Sequence, residues 1–163
     1  MHEVVIVSLA RTPIGSFGGK LASLTAIELG KTAMQAAMQR AGIDYNAVNE
    51  IYMGNVLQAN VGQAPARQAA LAAGFNPSVV CTTINKVCAS GMKSVMLAAQ
   101  SIRLGDAEVV LAGGMESMSQ APFLLTRQRW GNKYGNIETV DCIVRDALQG
   151  PYNGNMMGNV GEL

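Results

Sequence analysis

Apolar and polar positions along this chain first fall into a strand–helix alternation and then lose their period. Val4, Val5, Ile6 and Val7 open a continuous apolar run over residues 4–9, the pattern of a strand buried on both faces. A glycine-rich loop follows, and Thr25 with Glu28 three positions later forms the capping-box signature of a helix start. On that helix Ala26, Leu29, Ala33, Ala36 and Ala37 share one face, while Glu28, Lys31, Gln35 and Gln39 share the other. Gly42 supplies a left-handed stop. Residues 50–57 predict a second strand, and Pro65 and Gly74 bracket a short alanine-rich helix. β-Branched residues over 79–84 predict a third strand. The next helix spans residues 89–104, with Met92, Val95, Met96, Ala99 and Ile102 on its apolar face and Gly105 at its end. A fourth strand over 109–112 runs into Gly113 and Gly114.

Strands joined in turn by helices imply right-handed crossovers and a mainly parallel sheet covered by helices, an α/β fold. Beyond Ser117 the period fades into Gly- and Asn-rich sequence, and only residues 140–148 have a helical look. The expected organisation is a core over 1–117 followed by a loop-rich region over 118–163.

Composition narrows the class. A chain of 163 residues with 49% hydrophobic and 14% charged positions suits a packed globular domain. The abundance of Ala and Met fits helices lying close on a sheet. A net charge of +1, with no basic run, gives no electrostatic footprint for nucleic acid or an anionic membrane. No apolar run approaches a membrane span, and the opening one is too short, and lacks the basic flank, for a signal peptide. Cys81, Cys88 and Cys142 are odd in number and widely spaced, which argues against a disulfide framework or a zinc site; a reducing cytoplasm is the expected setting. His2 is the single histidine.

The sharpest chemical feature is Asn85-Lys86-Val87-Cys88-Ala89-Ser90-Gly91-Met92-Lys93, which sets a cysteine between the end of a strand and the start of a helix. Amides of a first helical turn have no internal partner, and the helix dipole favours negative charge there. Both favour thiolate over thiol. Small neighbours admit a thioester carbonyl, and the amide of Cys88 is placed to donate to an oxyanion. Placement alone leaves a second reading open, in which Cys88 is a small buried hydrophobe at a strand end.

The stretch around Cys88 resembles the nucleophile motif of thiolases, and the likeness runs along the chain. Arg11-Thr12-Pro13-Ile14-Gly15 with Phe17-Gly18-Gly19, Gly54-Asn55-Val56-Leu57-Gln58, Gly62-Gln63-Ala64-Pro65-Ala66-Arg67-Gln68 and Ala112-Gly113-Gly114-Met115-Glu116-Ser117-Met118-Ser119 match that family in order and spacing. Asn85-Lys86-Val87-Cys88 is closer to the acetoacetyl-CoA, biosynthetic branch than to the long-chain 3-ketoacyl branch. The resemblance implies a thiolase-like layered fold, of which this chain would be the N-terminal half without the last strand and the second half-fold. It implies a ping-pong Claisen condensation of two acetyl-CoA, or thiolysis of acetoacetyl-CoA in reverse, through an acyl group on Cys88. Coenzyme A thioester is then the substrate and no separate cofactor is expected.

In the family a histidine that activates the nucleophile, a second cysteine, and a further histidine with an asparagine-bound water lie in the second half-fold. The resemblance places His2 at the far edge of the sheet, and Cys142 reads as a packed helix cysteine. It also implies that Leu148 and Met157 line the pantetheine tunnel, although Met156 stands where biosynthetic thiolases commonly have His. Arg127, Arg129 and Lys133 read first as a solvated basic loop and second as contacts to CoA phosphates. Expected partners are acetyl-CoA or acetoacetyl-CoA, the missing C-terminal half, and a second copy joined through the strand and helix around Cys88. Alternatives are a non-catalytic thiolase module, a 3-ketoacyl-CoA thiolase of broader chain length, and, further off, a β-ketoacyl synthase relative. Gly18-Gly19-Lys20 and the Gly154, Gly158, Gly161 set lack the spacings of phosphate and dinucleotide loops.

Overall fold

A computed structural model describes residues 2–162. Thr25 caps helix α1 (Ala26–Ala41) through the full capping box, its hydroxyl oxygen accepting from the Glu28 amide while the Glu28 carboxylate accepts from the Thr25 amide. Gly42 ends α1 in the left-handed conformation. Strand β1 (Glu50–Gly54), helix α2 (Pro65–Ala73), strand β2 (Val80–Ile84), helix α3 (Ser90–Leu104) and strand β3 (Val110–Gly114) follow. The three strands form one parallel sheet in the order β2-β1-β3, with Ile51 opposite Cys81 on one side and Leu111 on the other.

The core is built from Ile51 and Met53 of β1, Met34 and Met38 of α1, the alanines of α2, and Phe75 and Val79. α1 faces it with Ala26, Gly30, Met34 and Met38, a strict four-residue stripe that shares only Ala26 with the face expected from the pattern. Gly30 belongs to that stripe because a β-carbon there would come within 2.5 Å of the Met115 sulfur. α2 and α1 pack on one side of the sheet and α3 on the other.

Residues 4–9 do not form a strand. They lie extended without a ladder partner, with Val5, Ile6, Val7 and Leu9 65–77% exposed. The Ser8 hydroxyl donates to the Ala37 carbonyl and the Arg40 guanidinium to that of Leu9, so the segment is held against α1. An apolar run specifies a strand only where a neighbour supplies the hydrogen bonds, and among the described residues none does.

The expected apolar face of α3 is also reversed. Ser90, Ser94, Ala98 and Ser101 point inward, whereas Met92, Val95 and Met96 are exposed. α3 lies so close to the sheet that only small side chains fit. Gly91 approaches Gly114, and at the other end the Ser101 hydroxyl donates to Glu50 at the start of β1.

After β3 come a short antiparallel pair, β4 (Phe123–Leu125) and β5 (Thr139–Asp141), a π-helical turn (Val144–Leu148) and helix α4 (Met157–Val160). The stretch 140–148, with its helical look, is thus strand at its start and helical after it. Cys142, Ile143 and Leu57 form a small second cluster beneath this region. Among the described residues no helix is long and apolar enough to cross a membrane.

Candidate active site

The three strands run the same way, so their carboxyl ends share one edge, and α3 starts there. Gly54 ends β1 directly beneath the first turn of α3. Cys88 sits two residues before that helix, between Ile84 at the end of β2 and Ser90, and its side chain is exposed. The other thiols differ. Cys142 is fully buried, and its thiol is pushed up by that burial and by Asp146 and Asp141. Cys81 is half-buried, its thiol donating weakly to the Val79 carbonyl, and burial pushes it up against the opposing pull of Arg67. Of the three sulfurs, only that of Cys88 combines exposure with a helix start.

That helix start is chemically open. α1 has its capping box, whereas the residue before α3, Ala89, has no capping side chain. The amides of Gly91 and Met92 meet no hydrogen-bond acceptor among the described residues. Unpaired amides in a first helical turn favour negative charge at the helix start.

The turn carrying Cys88 is strained. Val87 has φ 48°, and among the described non-glycine residues of positive φ it alone is β-branched. Such a conformation costs of order 1–3 kcal/mol and persists only where its surroundings over-determine it. Here the Val87 amide donates to Asn85 Oδ1 (3.0 Å), the Val87 carbonyl accepts from the Ser90 amide (3.1 Å) and hydroxyl (2.6 Å), and the Ser90 hydroxyl oxygen accepts from the Lys86 amide (2.8 Å).

A second network ties the strand ends together. The Glu116 carboxylate accepts from the amides of Val56 (2.9 Å) and Leu57 (3.1 Å) and from Asn55 Nδ2 (2.8 Å). Burial pushes Glu116 above the ordinary carboxylate range, and the two amides pull it back in part. Asn55 is 1% exposed; its amide donates to the Ile84 carbonyl at the end of β2, while its Oδ1 has no partner among the described residues.

His2 lies at the other end of the molecule. Its Nε2 is 3.7 Å from where a β-carbon on Gly105 would stand, at the far terminus of α3 from Cys88. A 15-residue helix separates them by about 22 Å. Leu148 is half-buried beside Leu57, Cys142 and Ile143, and Met157 opens α4. The antiparallel bridge Gln149–Met156 puts Leu148 and Met157 at adjacent register positions of one tight loop. Arg127, Arg129 and Lys133 are exposed.

Ser90, Gly54, Asn55 and Glu116 acquire structural roles that the sequence did not reveal, although each lies in a recognisable motif. The available signal was the set of glycines closing β1 and β3 opposite a helix that begins Ser-Gly.

Residues 4–163 match the family described as thiolase, N-terminal domain. The chain is 56% identical over 161 residues to an acetyl-CoA acetyltransferase of Schizosaccharomyces pombe, covering 99% of this chain and 41% of that protein. It is 57% identical over 162 residues to acetyl-CoA acetyltransferase 1 of Arabidopsis thaliana and to a mitochondrial acetyl-CoA acetyltransferase of Xenopus laevis, again over 99% of its own length and 39% and 38% of theirs. A crystal structure of a thiolase from Ascaris suum in complex with coenzyme A superposes with a TM-score of 0.92 at 41% identity, covering 96% of this chain and 41% of that one. The chain thus spans about two fifths of the length of the relatives it matches. By its fold and by the match over nearly its whole length, it belongs to the thiolase family as the N-terminal domain of that fold.

Proposed function

We propose that this chain is the acyl-accepting part of an acetyl-CoA acetyltransferase, with Cys88 as the residue that carries the acetyl group. The observation that carries this reading is the single exposed thiol, set at the uncapped start of α3 in a chain so similar to acetyl-CoA acetyltransferases. In the first step the Cys88 thiolate attacks the thioester carbonyl of acetyl-CoA. The new C–S bond replaces the bond to CoA, which leaves as a thiolate and takes up a proton. The amide of Cys88, at the uncapped start of α3, suits the charge that develops on the carbonyl oxygen. Carbon–carbon bond formation with a second acetyl-CoA, or thiolysis in reverse, then releases Cys88. Coenzyme A thioester is the substrate, and no further cofactor enters the scheme.

The base that would take the Cys88 proton is not His2, which sits at the wrong end of α3. The acetyl-transfer machinery is therefore completed by the rest of the thiolase fold, which supplies the histidines and second cysteine. Leu148 and Met157 are assigned to the pantetheine path and Cys88 to its end. The unpaired thiols suit a reducing, cytoplasmic setting.

The test is mass spectrometry of the chain after iodoacetamide and, separately, after acetyl-CoA. Cys88 is expected to be alkylated well ahead of Cys81 and Cys142. Acetylation of the chain alone is expected to be slow, since general-base help is worth about a hundredfold or more. Thiolysis of acetoacetyl-CoA is expected once a polypeptide carrying the remainder of a relative is added. Equal labelling of all three thiols, or a complex that forms and shows no thiolysis, would overturn the assignment.

A further inference from the structure

The hydroxyl of Ser90 bonds wholly to the turn that precedes its helix. It donates to the Val87 carbonyl three residues back, an ordinary local bond for a serine, and it also accepts from the Lys86 amide, so both of its bonds land outside the helix. They close a ring around Val87, whose left-handed backbone nothing in its own side chain favours and whose side chain is 47% exposed, so packing does little to hold it. Ser90 itself is anchored. It is 5% exposed, and its β-carbon lies 2.8 Å from where a β-carbon on Gly54 would be. The fixed end of β1 therefore holds Ser90, and Ser90 holds the turn that presents Cys88.

We propose that Ser90 is a positioning residue for the acyl-accepting thiol: its hydroxyl clasps the strained Val87 turn and thereby keeps Cys88 exposed at the uncapped start of α3. The inference rests on the reading of Cys88 as nucleophile.

The experiment follows alkylation of Cys88 by iodoacetamide in the 163-residue chain at pH 7 and at a pH high enough to ionise every thiol, in the parent, Ser90→Ala, Val87→Gly and the double variant. Ser90→Ala is expected to slow alkylation about tenfold at pH 7, yet less than about twofold at high pH, because only thiolate stabilisation is lost. Val87→Gly, which adopts the left-handed turn without a clasp, is expected to restore the Ser90→Ala rate to within about threefold of the parent. Equal slowing at both pH values, or no restoration by glycine, would overturn the proposal. If Ser90→Ala fails to fold, Val87→Gly decides alone: an unchanged rate and a melting temperature no lower than the parent's support the clasp, and a clear fall in either sinks it. A parent in which Cys88 reacts no faster than Cys81 would instead defeat the functional reading. A fast parent indifferent to Ser90 defeats only this inference.

Discussion

A β-carbon placed on Gly54 would stand 2.6 Å from the Ser90 carbonyl carbon and 2.7 Å from the Gly91 amide nitrogen. Both neighbours are backbone, so neither can swing aside, and the start of α3 would have to move. Gly54→Ala is therefore expected to lower stability by about 1–3 kcal/mol, the usual range for overpacking, and urea unfolding measures it. A cost below about 0.5 kcal/mol would mean that the helix yields freely. Glu116 makes a different prediction. Its folded carboxyl titrates above the ordinary value of 4.5 because it is partly buried. Between the unfolded and folded midpoints the native state holds more protons than the unfolded one, so stability falls as pH rises through that window. Glu116→Gln should flatten that slope. It should also cost about 1–3 kcal/mol, since a carboxamide nitrogen would face the Val56 amide. Urea midpoints measured from pH 4.5 upward read both effects, and an unaltered slope would show that Glu116 is not its source. Single residues were only partly legible in advance. Cys88 stood out because a nucleophile belongs at a strand–helix junction. Gly54 and Ser90 did not, because close approach and bonding are properties of pairs that one position does not display.

At the scale of elements, local signals read well and partnerships did not. The capping box at Thr25 and the left-handed glycines at 42, 74 and 105 bound α1, α2 and α3 within a residue or so of their expected ends, since caps are chemistry between near neighbours. Residues 4–9 fail as a strand for the opposite reason. They have the apolar run but no ladder, and the outer edge of β3 is equally unpaired among the described residues. A polypeptide supplying the remaining thiolase fold should cover these edges. Hydrogen exchange at the amides of residues 4–9 is then expected to slow by about a hundredfold or more in the mixture, and unchanged exchange in a formed complex would contradict it. α3 shows how a correct period can be turned the wrong way. Its most hydrophobic face, Met92, Val95 and Met96, was the natural choice for the core, yet glycines at the strand ends draw the small-residue face inward. Ser94, 0% exposed, is thus intolerant of size, and Ser94→Leu should destabilise by about 1–3 kcal/mol. Met92→Ser, compared at equal oligomeric state, should stay within about 0.5 kcal/mol. The reverse ranking in thermal melts would restore the pattern-based orientation.

Among the described residues, two of the uncovered apolar surfaces lie beside unpaired backbone. One is the extended segment over 4–9. The other combines the outer face of α3, where Met92 is 70% and Met96 51% exposed, with the free edge of β2, where Val80 is 58% exposed. Contiguous apolar surface and an open strand edge both mark places where another chain adds on. The two surfaces call for different occupants. The segment over 4–9 wants a strand from the rest of the fold. The β2 edge with α3 ends next to Cys88 and suits a second copy of the same element pair related by a two-fold axis. If so, self-association and assembly with the remaining fold are independent. The chain should sediment as a dimer or larger at micromolar concentration, and Met92→Glu with Met96→Glu should shift it toward monomer by placing like charges across the axis. The same pair of substitutions should leave binding of the remaining fold intact. A parent that sediments as a monomer would remove the two-fold surface. Loss of both associations together would merge the two surfaces into one and return the segment over 4–9 to an unexplained feature.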